Sequence, residues 1–271
     1  MNKVIRAEFG RTINAGLIIA IAGIIFSICF DSFNDLIAGL RNGQGYVGYF
    51  FSNAAFGGMC THYMLPVFTA LPFSVSLCQE RNNKAVSYIV SREGKNRYIF
   101  AKFIVSAISG GFVAACGTVL LFLMLAMRFP IAGDEFEGAV VSDYFHEWSA
   151  VYYPQLYILT LSILAFCRGV IWSSLALCVS LYTSDFMVVL LSPFLGSYVL
   201  VRIFQIIRVP DMVRPDMILI GQVVIKSSGL TLLIAIAISL TIVTLIGAFF
   251  VGKMKEGLKS CLLYTSDAAD E

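Results

Sequence analysis

The stretch QERNNKAVSYIVSREGKNRYIFAK, residues 79–102, decides the fold, because it is basic and hydrophilic and long apolar runs enclose it on both sides. A helix rises about 1.5 Å per residue and the hydrocarbon core of a bilayer is about 30 Å thick, so a span needs about 20 mostly apolar residues. On either side of the loop, His62 to Cys78 and Ala101 to Met127 approach or exceed that length. Further out, Ile13 to Phe30, Gln155 to Thr183, Phe186 to Ile207 and Gly229 to Gly252 do the same. The pattern is that of an all-α, polytopic membrane protein with six transmembrane helices and a large cytoplasmic loop between the second and third. A hydrophobic content of 58%, a mean hydropathy of +0.83 and a charged share of only 13%, about half the usual figure, exclude a soluble domain.

Residues 1–260 are therefore expected to form one six-span domain. Cys261 to Glu271 resemble one reading frame of a sequencing-library adapter and are expected to be a foreign scar. Without them three acids, Asp267, Asp270 and Glu271, leave the count, and the formal net charge moves from +2 to +5.

Basic loops are retained in the cytoplasm, and twelve of the 19 Lys and Arg residues fall on the side that holds both termini and the loop 79–102. Five (Arg41, Arg128, Arg208, Arg214 and Lys226) fall outside, and Arg168 and Arg202 lie within spans. The expected location is the cell membrane, with both termini cytoplasmic. Asn2 to Thr12 places Val4, Ile5, Phe9 and Ile13 at helical spacing among Lys3, Arg6 and Arg11, which predicts an amphipathic helix in the inner interface. The first outer loop, Asp31 to Thr61, carries Tyr46, Tyr49, Phe50, Phe51 and Phe56, rings that favour the headgroup level. Pro66 and Pro72 predict kinks in the second span and Pro193 in the fifth. Ser109, Gly110 and Gly111, followed by Ala114, Ala115 and Gly117, predict close approach of the third span to another helix.

Within the loop, a helix from Cys78 to Ser91 would put Arg81, Lys84, Tyr88 and Arg92 on one face and Val86, Ile89 and Val90 on another, with Gly94 as its C-cap. Such a helix suits anionic lipid or a groove on a cytosolic partner, and a purely topological, positive-inside role remains open beside these. The order Leu71-Pro72-Phe73, Glu80-Arg81, Tyr88, Arg92, Arg97-Tyr98 and Lys102 resembles the permease subunit of a type-2 ATP-binding-cassette (ABC) transporter. The six-span layout, the N-terminal helix and the acidic outer loop fit the same family. In that family the loop is a coupling helix seated in a cleft of the ATP-binding subunit. The resemblance implies that Glu80, Arg81, Tyr88 and Arg92 contact that ATPase, and that Arg97, Tyr98 and Lys102 anchor the loop at the membrane surface. It also implies a second permease, identical or related, and export as the direction of transport, with the second and fifth spans lining the path. Lys84 stands near a position where family members often carry glycine, which unsettles the register of the docking helix.

The chain has no glycine-rich P-loop ending in Gly-Lys-Ser or Gly-Lys-Thr, so ATP and Mg would be held by the partner and not by this chain. Gly43-Gln44-Gly45-Tyr46-Val47-Gly48 matches a dinucleotide fingerprint in spacing only, with no preceding strand. No nucleic-acid partner, catalytic residue or metal site is expected. His62 and His146 lack partners at ligand spacing, and the acids Asp134, Glu135, Glu137, Asp143 and Glu147 read as a solvated outer loop. Cys29 and Cys60 both fall near the outer face, where a disulfide is an open alternative, while the other native cysteines read as small apolar fillers. Arg202 is expected to snorkel to the outer surface. Arg168, near the middle of the fourth span, is a candidate pathway or gate residue, with a tie to backbone carbonyls as the structural alternative. A stand-alone secondary transporter or channel, or an intramembrane enzyme, are the other functions weighed. Against them stand the lack of a repeat between the halves, of an acid within the spans and of a catalytic cluster.

Overall fold

The computed structural model describes residues 2–42, 47, 50, 58–131 and 153–267, and among these every regular element is a helix. The chain opens with the expected basic helix α1 (Asn2–Thr12). It bends by 56° into α2 (Ala15–Asp31). Asn14 sets the bend, since its extended backbone leaves helical geometry and its side-chain oxygen accepts the Leu17 amide at 3.1 Å as an N-cap. Helix α3 (Phe33–Asn42) follows. The Asp31 carboxylate then accepts the first amides of α4 (Met59–Ala70), from Cys60 at 2.9 Å and Thr61 at 2.6 Å. The end of α2 thus places a negative charge on the positive end of α4.

Four helices are long and apolar enough to cross a membrane, or five if the bent α1–α2 pair is one span. They are α7 (Lys95–Ala126), α8 (Pro154–Val179), α9 (Phe186–Ile207) and α11 (Ser228–Asp267). The last runs without a break past Ser260 into the segment expected to be foreign. The expected second span, His62 to Cys78, is not one helix. Helix α4 has 12 residues, about 18 Å, too short to cross alone. It accommodates Pro66, but Pro72 has no N–H for the Phe68 carbonyl, and Leu71 closes the last turn onto that oxygen at 3.3 Å. Residues 71–75 form a turn before the chain becomes helical again as α5 (Ser76–Asn82). The six expected spans thus reduce to four membrane-length helices, or five with the bent pair.

Helices α7 and α8 meet backbone to backbone. A Cβ on Gly169 would stand 2.5 Å from the Gly110 carbonyl oxygen, and one on Gly111 would meet Val170 and Phe166 at 2.7 and 2.8 Å. Apolar helices gain little by leaving lipid for one another, so close packing of this kind is what holds them together. Just below, the Ser74 and Ser106 hydroxyls both donate to the Ser173 carbonyl, at 3.0 and 3.3 Å, stitching the 71–75 turn to the same seam. Ile24 of α2 packs over Gly117, as the small-residue run predicts. By contrast α9 and α11 bury only 22% and 17% of their apolar windows, leaving surface that a lipid or protein neighbour must cover.

Helices α1, α5 and α6 (Ala85–Glu93) gather at one end of the bundle, the basic end. At the far end, the chain after α9 turns through a 3-10 segment (Asp211–Val213) into α10 (Pro215–Ile220), which folds back against α8 and α11 and buries Ile218, Leu219 and Ile220. Phe50, expected at headgroup level, is instead buried against Phe129, ring centroids 4.7 Å apart. Tyr46, Tyr49, Phe51 and Phe56 lie outside the described residues, as do the Gly43–Gly48 motif apart from Val47 and the acidic loop with His146.

Candidate functional site

The loop between the apolar runs forms two short helices where one was expected, because the chain breaks at Lys84. Lys84 adopts φ 54°, a left-handed conformation in which its Cβ crowds the following carbonyl and which glycine enters freely. Helix α6 then runs to Gly94, whose φ of 87° ends it where the sequence places a C-cap. Its two faces separate as the spacing predicts: Val86, Ile89 and Val90 pack inward, while Ser87, Tyr88, Ser91 and Arg92 face out, with Tyr88 68% exposed.

Of the residues expected to touch a partner, Tyr88 and Arg92 are on the surface, Arg92 held at 2.8 Å by its neighbour Glu93. Arg81 is exposed, but its Nη1 donates to the Ser180 and Leu181 carbonyls at 2.9 Å each, closing the C-terminal end of α8, where the helix dipole favours a cation. Glu80 faces inward. Arg97 lies at the surface, whereas Tyr98 and Lys102, expected beside it as surface anchors, are fully buried. The reason is a set of charges on three separate elements. Lys102 donates to Glu80 at 2.7 Å, Glu8 at 2.9 Å and the Ser76 hydroxyl at 3.3 Å. Arg11 donates to the same Glu80 oxygen at 2.6 Å and to Glu8 at 3.1 Å. Tyr98 donates to the other Glu80 oxygen at 2.6 Å, and the Phe73 ring lies 4.8 Å from the Lys102 ammonium. Two acids and two bases balance, and each charged group has a hydrogen-bonded partner, the condition under which a buried ionic network holds a fold in one arrangement. This cluster fastens α1, α5 and α7 to one another. On the neighbouring side Lys95 donates to the Lys255 carbonyl at 2.7 Å, tying the start of α7 to α11.

Arg168 lies near the middle of α8, about 21 Å along the helix from Pro154. It is 7% exposed and lines a cavity of about 320 Å³ bounded by α4, α8, α9 and the 211–222 segment. His62 and Tyr63 of α4 and Val201 and Gln205 of α9 share the cavity wall, so the helices that the sequence assigns to the second and fifth spans meet there. Tyr63 also packs against Phe194 and Tyr198, with centroids 5.9 and 6.1 Å apart. Opposite, Arg214 grips Asp216 through two nitrogens, at 2.7 and 3.3 Å, and reaches Asp211 at 3.2 Å. The hydrogen bonds that Arg214 donates to Asp216 lead the effects that hold the Arg214 proton more firmly than usual. Arg202 is exposed and lies over the Tyr198 ring at 5.2 Å.

Sequence reasoning missed Glu8, Arg11 and Ser76 as members of the charge cluster, and Asp216 and Arg214 as neighbours of Arg168. Glu8, an acid in an otherwise basic amphipathic helix, was the one available signal. Cys29 and Cys60, for which a disulfide was open, are both free thiols, as are the other four described cysteines. Among the described residues no three His, Cys, Asp or Glu side chains converge to hold a metal ion. No family model, no curated protein and no solved structure matches this chain.

Proposed function

We propose that this chain is the membrane-spanning permease subunit of an ATP-driven exporter of the type-2 ABC class, working with a second permease and a separate cytosolic ATPase that binds ATP and Mg. The observation that carries the reading is the construction of the basic end. Helix α6 offers an outward face of Ser87, Tyr88, Ser91 and Arg92, while the segment leading into it is braced by Glu80 to Lys102 and Arg11 and by Arg81 to the end of α8. A push on α6 from below would pass directly into α1, α7 and α8, which is what a coupling element has to do. In this reading the basic end and both termini are cytoplasmic. Helix α4, the 71–75 turn and α5 make a broken second crossing, giving six in the cell membrane. The bare apolar faces of α9 and α11 suit lipid and the second permease. The chain itself supplies transport, with Arg168 on the pathway, and no ATP-hydrolysing residue.

Co-purification with the ATPase encoded beside this gene tests the proposal, using Tyr88→Ala plus Arg92→Ala, which lie on the surface and leave the charge cluster intact. Loss of the ATPase from a variant that stays monodisperse is the expected result. Retention of the ATPase by the variant removes α6 as the docking element, and no ATPase bound to the native chain favours a stand-alone transporter.

A further inference from the structure

We infer that the cavity around Arg168 is a binding site for a singly charged oxyanion, a phosphodiester or carboxylate that carries an apolar substituent. The inference goes beyond the transport reading, since it holds whether or not an ATPase docks at the basic end.

The first argument is the state of Arg168. Its side chain is more than nine-tenths buried, lines the cavity, and makes no hydrogen bond or ion pair with any described residue. A buried charge is normally paired, because removing an ion from water costs several kcal/mol that only a partner offsets. Asp216, the acid whose field reaches Arg168, is already engaged by one edge of Arg214, through Nη2 at 2.7 Å and Nε at 3.3 Å. Arg168 therefore presents an unused guanidinium, the planar donor fork that matches the two oxygens of a carboxylate or phosphate.

Charge and shape set the class of ligand. Arg168 and Arg214 against Asp216 leave one uncompensated positive charge on the cavity wall, and Asp211 stands at the solvent side, with its side chain 70% exposed. One negative charge neutralises that excess, whereas a dianion would leave a buried charge of the opposite sign. Tyr63, Gln205 and Gln222 add neutral polar groups to the wall, and Met59, Met217 and Ile220 supply apolar surface for a substituent. A volume of about 320 Å³ lies at the small end of ligand cavities, enough for a headgroup or a short-chain acid but not for a whole lipid. The anion can therefore come from a lipid headgroup reaching in sideways or from a soluble molecule.

The test uses the full chain in neutral detergent and three probes: dibutyl phosphate, dioctanoyl phosphatidylglycerol and, as the uncharged control, tributyl phosphate. Saturable binding of a charged probe, followed by thermal shift and equilibrium titration, with at least a tenfold preference over the control, is expected. Arg168→Gln should weaken that binding at least about tenfold, the loss of a charged hydrogen-bonding partner, while its ligand-free melting temperature stays level or rises because an unpaired buried charge is gone. A merely structural Arg168 would give the reverse, a lower melting temperature and unchanged affinity. Binding of phosphatidylglycerol alone assigns the site to lipid, and binding of dibutyl phosphate alone assigns it to a soluble anion. If neither charged probe outdoes tributyl phosphate, or if Arg168→Gln binds as the native chain does, the inference falls. Should Arg168→Gln not purify as a monodisperse protein, Gln205→Trp, which fills the cavity from α9, is expected to abolish binding in its place. None of these outcomes depends on the ATPase, so this site and the docking reading stand or fall separately.

Discussion

Lys102→Met unbalances the charge cluster at the basic end, and the structure sets the size of the effect. Lys102 is 0% exposed and holds two carboxylates, Glu8 at 2.9 Å and Glu80 at 2.7 Å, that are themselves nearly buried. Methionine fills much the same volume, so the cavity cost is small and the loss is electrostatic. Two acids then face Arg11 alone, whose side chain is 53% exposed and correspondingly screened by solvent. Leaving a buried charge uncompensated costs about 3–5 kcal/mol. The double variant Lys102→Met plus Glu8→Gln restores neutrality, keeps the Arg11–Glu80 pair and the Tyr98 hydrogen bond, and should cost only about 1–2 kcal/mol. The two substitutions are thus expected to couple by about 2–3 kcal/mol plus whatever Glu8→Gln costs alone. With about 2–4 °C per kcal/mol for a chain of this size, the single variant melts at least about 6 °C below native and the double variant recovers most of the loss. Thermal unfolding in detergent can be followed by thiol labelling, because Cys78, Cys167 and Cys178 are buried in the native fold and react only when it opens. If the double variant proves as unstable as the two single losses added together, the four charges do not act as one cluster.

Three further substitutions probe the elements that position the sites. Lys84→Gly relieves a left-handed residue between α5 and α6 and is expected to stabilise the chain by about 0.5–1 kcal/mol, read as a higher melting temperature; a fall would show that Lys84 makes a contact that outweighs its backbone. Gly110→Val drives side-chain atoms into Ser173 and the Gly169 carbonyl, and overpacking of about 1–3 kcal/mol should separate α7 from α8; native stability in the variant would mean that the seam is looser than its backbone contact implies. Asp31→Asn removes the charge at the first turn of α4 while keeping an acceptor, so a loss of about 0.3–1 kcal/mol is expected, and it should shrink at high salt if its origin is electrostatic.

Composition and run length alone were enough to read an all-helical chain with long apolar helices and the character of its segments. Apolar run length is a local property, so helices such as Phe186 to Ile207 could be bounded to the residue, and the small residues from Ser109 to Gly117 announced a tight helix contact. Gly94 and the two faces of α6 were legible for the same reason, since a cap and a periodicity each involve only neighbours in the chain.

What the tertiary structure decided is everything that depends on a partner distant along the chain. Pro66 and Pro72 predict a kink, but whether the helix resumes or stops depends on what the freed carbonyls meet, and here it stops at Ala70. Lys102 carries the same residue-level signal as a surface lysine, and its burial follows only once Glu8 and Glu80, 94 and 22 residues away in sequence, are brought to its ammonium. Arg168 is the converse case. Its place in an apolar run marked it as costly, and only the folded-back segment carrying Arg214 and Asp216 shows that the acid on the same cavity wall is already taken. A charge in an apolar run states its cost locally, while the group that offsets that cost is chosen by the fold.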